Sequence, residues 1–294
     1  MPRFALVALL SLAVAGCGGS SRGGGATTAA APAGGQVANG PVRGGPQDAT
    51  KAGASGPEIH RTGPLHASRA PVPILMYHVI AAAPPGARYG GLWVPPAELR
   101  EQVDALASAG YTAVTLDQVL DAWAGKPALP KHPVVLSFDD GYLSQGKDAG
   151  PILAAHGWPG VLNLAWHNLG VPGGITRSRI KAMIKAGWEI DAHSLTHPDL
   201  TTLSGAALAR EVAGSRKAIH DAFGVPVDAF CYPAGKYDAA VEAAVRAAGY
   251  RAATTEVDGA AAPGQDPFAL HRIRVNAGES GAAVLARVRA SAAR

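Results

Sequence analysis

The chain has 294 residues, 48% of them hydrophobic, with 37 glycines, 23 prolines and two cysteines. That apolar content excludes a wholly disordered protein, two cysteines exclude a disulfide scaffold, and no apolar run reaches the roughly 18 residues of a membrane-spanning helix. The formal charge of +4 would suit a nucleic-acid partner, but residues 1–70 carry six basic residues against two acidic ones, leaving twenty of each in 71–294. The excess belongs to the leader, and nucleic acid is not expected as a partner.

Arg3 precedes an apolar stretch from Phe4 to Ala15, too short to span a bilayer and suited to the core of a signal peptide, which would occupy residues 1–16. The stretch runs into Val14-Ala15-Gly16-Cys17, which resembles the bacterial lipobox. The resemblance implies cleavage before Cys17 and diacylation of its thiol. Acyl chains would then hold the protein on a membrane surface of the bacterial cell envelope, facing the periplasm or the exterior. Residues 17–70 are largely Gly, Ala, Ser, Thr and Pro and cannot bury enough surface to offset backbone ordering, so a disordered, lipid-anchored tether is expected there.

Residues 71–294 are long enough for one large domain, expected to act as a monomer. Strand-like runs at Val72–Tyr77, Tyr111–Leu116, Val134–Phe138, Val161–Ala165, Trp188–Ile190, Ala229–Tyr232, Tyr250–Thr254 and Arg272–Val275 alternate with helical stretches. Helices are expected from Pro95-Pro96 to Ala109, and over Asp117–Trp123, Asp148–His156, Ser178–Ala186, Gly205–Phe223, Ala239–Ala248 and Ala282–Ala292. About seven βα units predict an α/β fold, either a parallel barrel or a doubly wound sheet. In both, chemistry belongs on the loops that follow strand C-termini.

Three motifs fall there. Ser137-Phe138-Asp139-Asp140-Gly141 ends a strand with adjacent carboxylates, which repel unless a cation or proton relieves them. Asp140 could bind a metal while Asp139 faces its water. His193-Ser194-Leu195-Thr196-His197 places two imidazoles four residues apart, on one face if the segment is a helical turn. A His-His-Asp set suits Zn²⁺, and other divalent ions fit it too. Phe230-Cys231-Tyr232-Pro233-Ala234-Gly235 forms a Pro- and Gly-fixed turn whose amides could face an oxyanion.

In this order the motifs resemble the signature of the polysaccharide deacetylases, the NodB-homology group or carbohydrate esterase family four, over about residues 71–276. The resemblance implies a distorted (β/α) barrel of about seven parallel strands and metal-dependent removal of N-acetyl groups from polymers containing N-acetylglucosamine, with release of acetate. It implies Asp139 as general base, Asp140, His193 and His197 as ligands of a divalent metal (Zn²⁺, or Co²⁺ or Ni²⁺), and Tyr232, Pro233 and Ala234 as the substrate-binding and oxyanion turn. Where members commonly carry an arginine that steadies the catalytic Asp, this chain has Cys231, and Ala234 replaces an aromatic residue. The late Asp- and Trp-containing motif is missing, Asp258 being the nearest carboxylate. For the general acid, His78 at the end of Leu75-Met76-Tyr77 fits a circularly permuted branch like the poly-N-acetylglucosamine deacetylases, and His271 is the alternative. The family also includes esterases acting on O-acetyl groups, such as those of xylan, and a non-catalytic glycan-binding module would share the fold.

Overall fold

The computed structural model describes residues 64–127 and 129–292, so the expected signal peptide, Cys17 and the tether up to residue 63 lie outside the described residues. Eight strands follow in chain order: β1 (Ile74–Tyr77), β2 (Thr112–Ala113), β3 (Pro133–Asp140), β4 (Val161–Leu164), β5 (Glu189–Ala192), β6 (Ala229–Cys231), β7 (Ala252–Asp258) and β8 (Leu270–Arg274). The helices are α1 (Pro96–Ser108), α2 (Leu116–Trp123), α3 (Gly150–Ala154), α4 (Arg177–Lys185), α5 (Gly205–Phe223), α6 (Ala239–Ala247) and α7 (Gly281–Ala292). Every ladder between these strands is parallel. From β3 the pairing runs through β4, β5, β6, β7 and β8 to β1, and β1 pairs back onto β3. Seven strands therefore close a barrel, and of the two parallel architectures open to the sequence this is the one adopted. The eight-residue length of β3 makes closure possible: its start pairs with β2 (Thr112 beside Pro133), and its remainder with β1 (Ile74 beside Val135).

Alternation along the strands sorts side chains inside and outside the ring. Leu75, Tyr77, Leu136, Phe138, Ile190 and Phe230 belong to the outer core shared with the helices. Ile74, Val135, Val161, Ala229, Ala252 and Leu270 face inward as a lower layer. Leu116, Val119 and Ala122 of α2 close the barrel floor against them. That helix begins at a capping box in which Thr115 and Gln118 satisfy each other's backbone N–H.

Two expectations change. The helix expected over Asp148–His156 opens earlier, with a π-helical turn over Gln145–Ala149, and only Gly150–Ala154 is α-helical. Residues 64–70, expected in the tether, lie against the barrel: His66 N donates to Leu129 O at 2.8 Å, and Trp123 Nε1 to Ala70 O at 3.1 Å. No helix among the described residues is long and apolar enough to cross a membrane.

The barrel floor holds a group of carboxyls. Glu189 Oε2 accepts from Asp117 N at 2.9 Å and Asp191 Oδ1 from Ala229 N at 2.9 Å, while Glu189 Oε1 and Asp191 Oδ2 are buried with no other donor among the described residues. Burial, reinforced by neighbouring carboxylates, pushes Glu189 well above the usual range and Asp191 and Asp117 up to about 7. Arg251 offsets part of this by pairing with Asp117 at 3.1 Å and Asp121 at 2.7 Å. Folded protein therefore retains protons that the unfolded chain releases near pH 4, and these carboxyls withdraw stability as pH rises from there through about 7. Glu189→Gln supplies a permanent donor toward Asp191 and should flatten that decline in urea unfolding measured across the range. An unchanged slope would contradict the raised pKa of these carboxyls.

Candidate active site

The residues singled out by motif gather at the C-terminal mouth of the barrel. His78 follows β1, Asp139 and Asp140 end β3, His193 and His197 follow β5, and Pro233–Gly235 turns after β6. Asp140 Oδ1 stands 3.4 Å from Nε2 of His193 and 3.4 Å from Nε2 of His197. The expected helical turn is absent, because Ser194 (φ 66°) and His197 (φ 56°) are left-handed and the segment is an irregular loop. Glu211 of α5 holds that loop by accepting from Leu195 N, Thr196 N and Thr196 Oγ1, each at 2.9 Å. The imidazoles thus converge by loop geometry and not by helical spacing.

Backbone strain marks the same place. The non-glycine residues with left-handed φ among the described residues are Asp140, Ser194, His197 and Ala234, and each belongs to this mouth. Such conformations cost on the order of 1–3 kcal/mol each and persist only where their surroundings enforce them. Gly141 completes the turn: its φ is 86°, and a Cβ there would stand 2.6 Å from Leu164 Cδ1.

Asp140, His193 and His197 fit a metal ion. Their donor atoms lie within 4.8 Å of one another. His193 Nδ1 is 2.7 Å from Cys231 O, which places the proton on Nδ1 and turns the Nε2 lone pair toward Asp140 and His197. Asp139, His193 and Cys231 are equally close together. An ion there would meet the Arg272 guanidinium, 2.8 Å from Asp139 Oδ1 and 3.2 Å from Cys231 Sγ, so charge repulsion rules that trio out.

Asp139 is buried and its two oxygens are unequal. Oδ1 accepts from Asn163 Nδ2 at 2.7 Å and from Arg272 Nη1 at 2.8 Å. Oδ2 has only the Cys231 thiol at 3.6 Å and His78 Nε2 at 3.9 Å. Burial alone would raise the Asp139 pKa, but Arg272, His78 and His193 outweigh it and hold the carboxyl well below the usual range. His78 is lowered, chiefly by burial, against the pull of Asp139 and Asp140.

The arginine missing from position 231 is therefore replaced from another strand. Arg272 of β8 points into the barrel, donating also to Thr255 O at 2.8 Å and Ser137 Oγ at 3.2 Å. Alternation turns its neighbour His271 to the other face, where it lines a cavity of about 460 Å³ with Gly259, Gln265 and Arg287. His271 is not brought to the mouth, whereas His78 is. Tyr232 contributes backbone only: its side chain is buried, stacks on Tyr237 at 4.5 Å and donates to Phe268 O at 3.0 Å. Sequence patterns single out none of Asn163, Arg272 and Glu211; for Asn163 on β4 and Arg272 on β8 the signal is a polar side chain at an inward strand register, and Glu211 on α5 offers none.

A family model described as Polysaccharide deacetylase matches residues 126–253. The Poly-beta-1,6-N-acetyl-D-glucosamine N-deacetylase of Escherichia coli (strain K12) is 46% identical over 63 residues, 21% of this chain and 9% of that protein. The solved structure of the Streptococcus pyogenes deacetylase PplD in complex with acetate is similar in fold, with a TM-score of 0.71 over 75% of this chain and 99% of that one at 24% identity. YxkH of Bacillus subtilis (strain 168), assigned to the polysaccharide deacetylases, is 30% identical over 214 residues, 73% of this chain and 75% of that protein. With a barrel of the same kind and the motif residues gathered at its mouth, the chain belongs to the polysaccharide deacetylase family.

Proposed function

We propose that this polysaccharide deacetylase is a metal-dependent N-deacetylase that removes acetyl groups from an N-acetylglucosamine-containing polysaccharide at the bacterial cell envelope. One observation carries the reading. A buried, arginine-held carboxylate and a buried imidazole stand 3.9 Å apart beside an Asp-His-His set able to bind an ion. The stretch shared with the Escherichia coli N-deacetylase supports an amide substrate. Cys17 would anchor the chain by its acyl groups, with the residues after it as a tether.

Asp140, His193 and His197 would hold the ion, with Zn²⁺ favoured by the donor set. When bound, it supplies Lewis acidity toward the acetyl carbonyl and makes water a better acid. Asp139 Oδ1 is occupied by two donors, so Oδ2 is the oxygen that takes the proton as water adds to the carbonyl carbon. A carboxyl held so far below its usual range gives that proton up readily, and His78 Nε2 is the adjacent acceptor. Burial keeps His78 neutral beforehand, so the proton it delivers to the departing sugar nitrogen as the C–N bond breaks is the one that left the water. The left-handed Ala234 turns its backbone at the mouth, and its N–H would steady the carbonyl oxygen as charge develops there. Acetate and a glucosamine unit leave.

Asp139→Asn should bind Zn²⁺ as wild type does in calorimetry while losing acetate release from N-acetylglucosamine oligomers by on the order of 10²-fold or more. Near-normal turnover would refute the assignment of the base. Chelation should abolish release and added Zn²⁺ should restore it; full activity of metal-stripped protein would remove the metal from the reading.

A further inference from the structure

We propose that Gln145 is a positioning residue that sets the spacing between His78 and Asp139. The inference rests on the reading that this pair moves the proton in amide hydrolysis. Gln145 is fully buried and opens the π-helical turn before α3. Its Nε2 donates to His78 O at 2.8 Å and to Asp139 O at 2.5 Å. Both partners can only accept, and the amide nitrogen has two hydrogens, so the orientation of the side chain follows from them.

The two carbonyls belong to the residues that follow the last paired positions of β1 and β3, Tyr77 beside Phe138. Beyond that rung the ladder offers them nothing, and Gln145 bridges the gap. Its neighbour Ser144 adds a second tie by accepting from Ile80 N at 3.0 Å with Oγ. A purely space-filling role would suit Met or Leu better, because Gln145 Oε1 is buried without a partner among the described residues. Gln145 opens a π-helical turn, and such turns recur at functional sites. The same amide thus holds the main chain of both members of the pair, whose side chains meet at 3.9 Å.

The test uses the full-length, metal-loaded protein and acetate release from N-acetylglucosamine oligomers. Gln145→Met keeps the volume and removes both donors. It should lower kcat about tenfold or more, leave KM and the Zn²⁺ affinity within about threefold, and cost under about threefold in a His78→Ala background, where there is no spacing left to set. Ser144→Ala, which leaves the core intact, should show a smaller loss with the same dependence on His78. Unchanged kcat, or an equal loss in both backgrounds, would overturn the inference while the deacetylase reading stands. A wild-type protein that releases no acetate would overturn both.

Discussion

A carboxylate inside a barrel has to be neutralised by the barrel itself. Asp139 is buried, and the ion pair with the equally buried Arg272 keeps it charged in spite of that burial. Removing one partner from such a pair leaves an uncompensated buried charge, a loss on the order of 3–5 kcal/mol, so the two must be retained together. The pair exists only because the ring is closed. Arg272 sits on β8 and Asp139 on β3, and β1 between them joins both ladders. The same closure sets His78 beside Asp139. The placement of Asp139, His78 and Arg272 thus depends on one strand of four residues pairing on both sides.

The side formed by Asp140, His193 and His197 is built differently. No regular element brings His193 and His197 together; a loop with two left-handed residues does, held by a single carboxylate of α5. Strain there is matched by strain at Asp140 and Ala234, and the rigid strands beneath must support all of it. Preorganisation of this kind gives up some stability in order to hold donor atoms convergent before any ligand arrives. The acidic group below the mouth is a second place where stability is given up, with Glu189 at the start of β5 and Asp191 two residues before His193.

Much of this was legible in the sequence, and the exceptions share one cause. Strand and helix positions, the motifs at strand ends and the place of His78 just after a strand follow from local patterns, because periodicity and turn residues are local quantities. Closure of the barrel is not local: β1 meets β3 across some sixty residues of chain, as the hydrogen bond from Ser137 Oγ to Leu75 O illustrates. For the same reason nothing near Cys231 announces that Arg272, on another strand, pairs with Asp139. The π turn at Gln145 was hidden because its purpose lies with two carbonyls on other elements. The spacing of His193 and His197 suggested a helix, yet their neighbours bond to Glu211 instead of continuing one.

The central claim is that this mouth hydrolyses an amide. Mass spectrometry of an N-acetylated β-1,6-glucosamine oligomer and an O-acetylated xylan oligomer, each incubated with the metal-loaded protein, tests it most directly. The glucosamine oligomer should lose acetyl groups one by one while the xylan oligomer keeps its own. Loss of acetyl from xylan alone, or from neither while the ion is bound, would contradict the account.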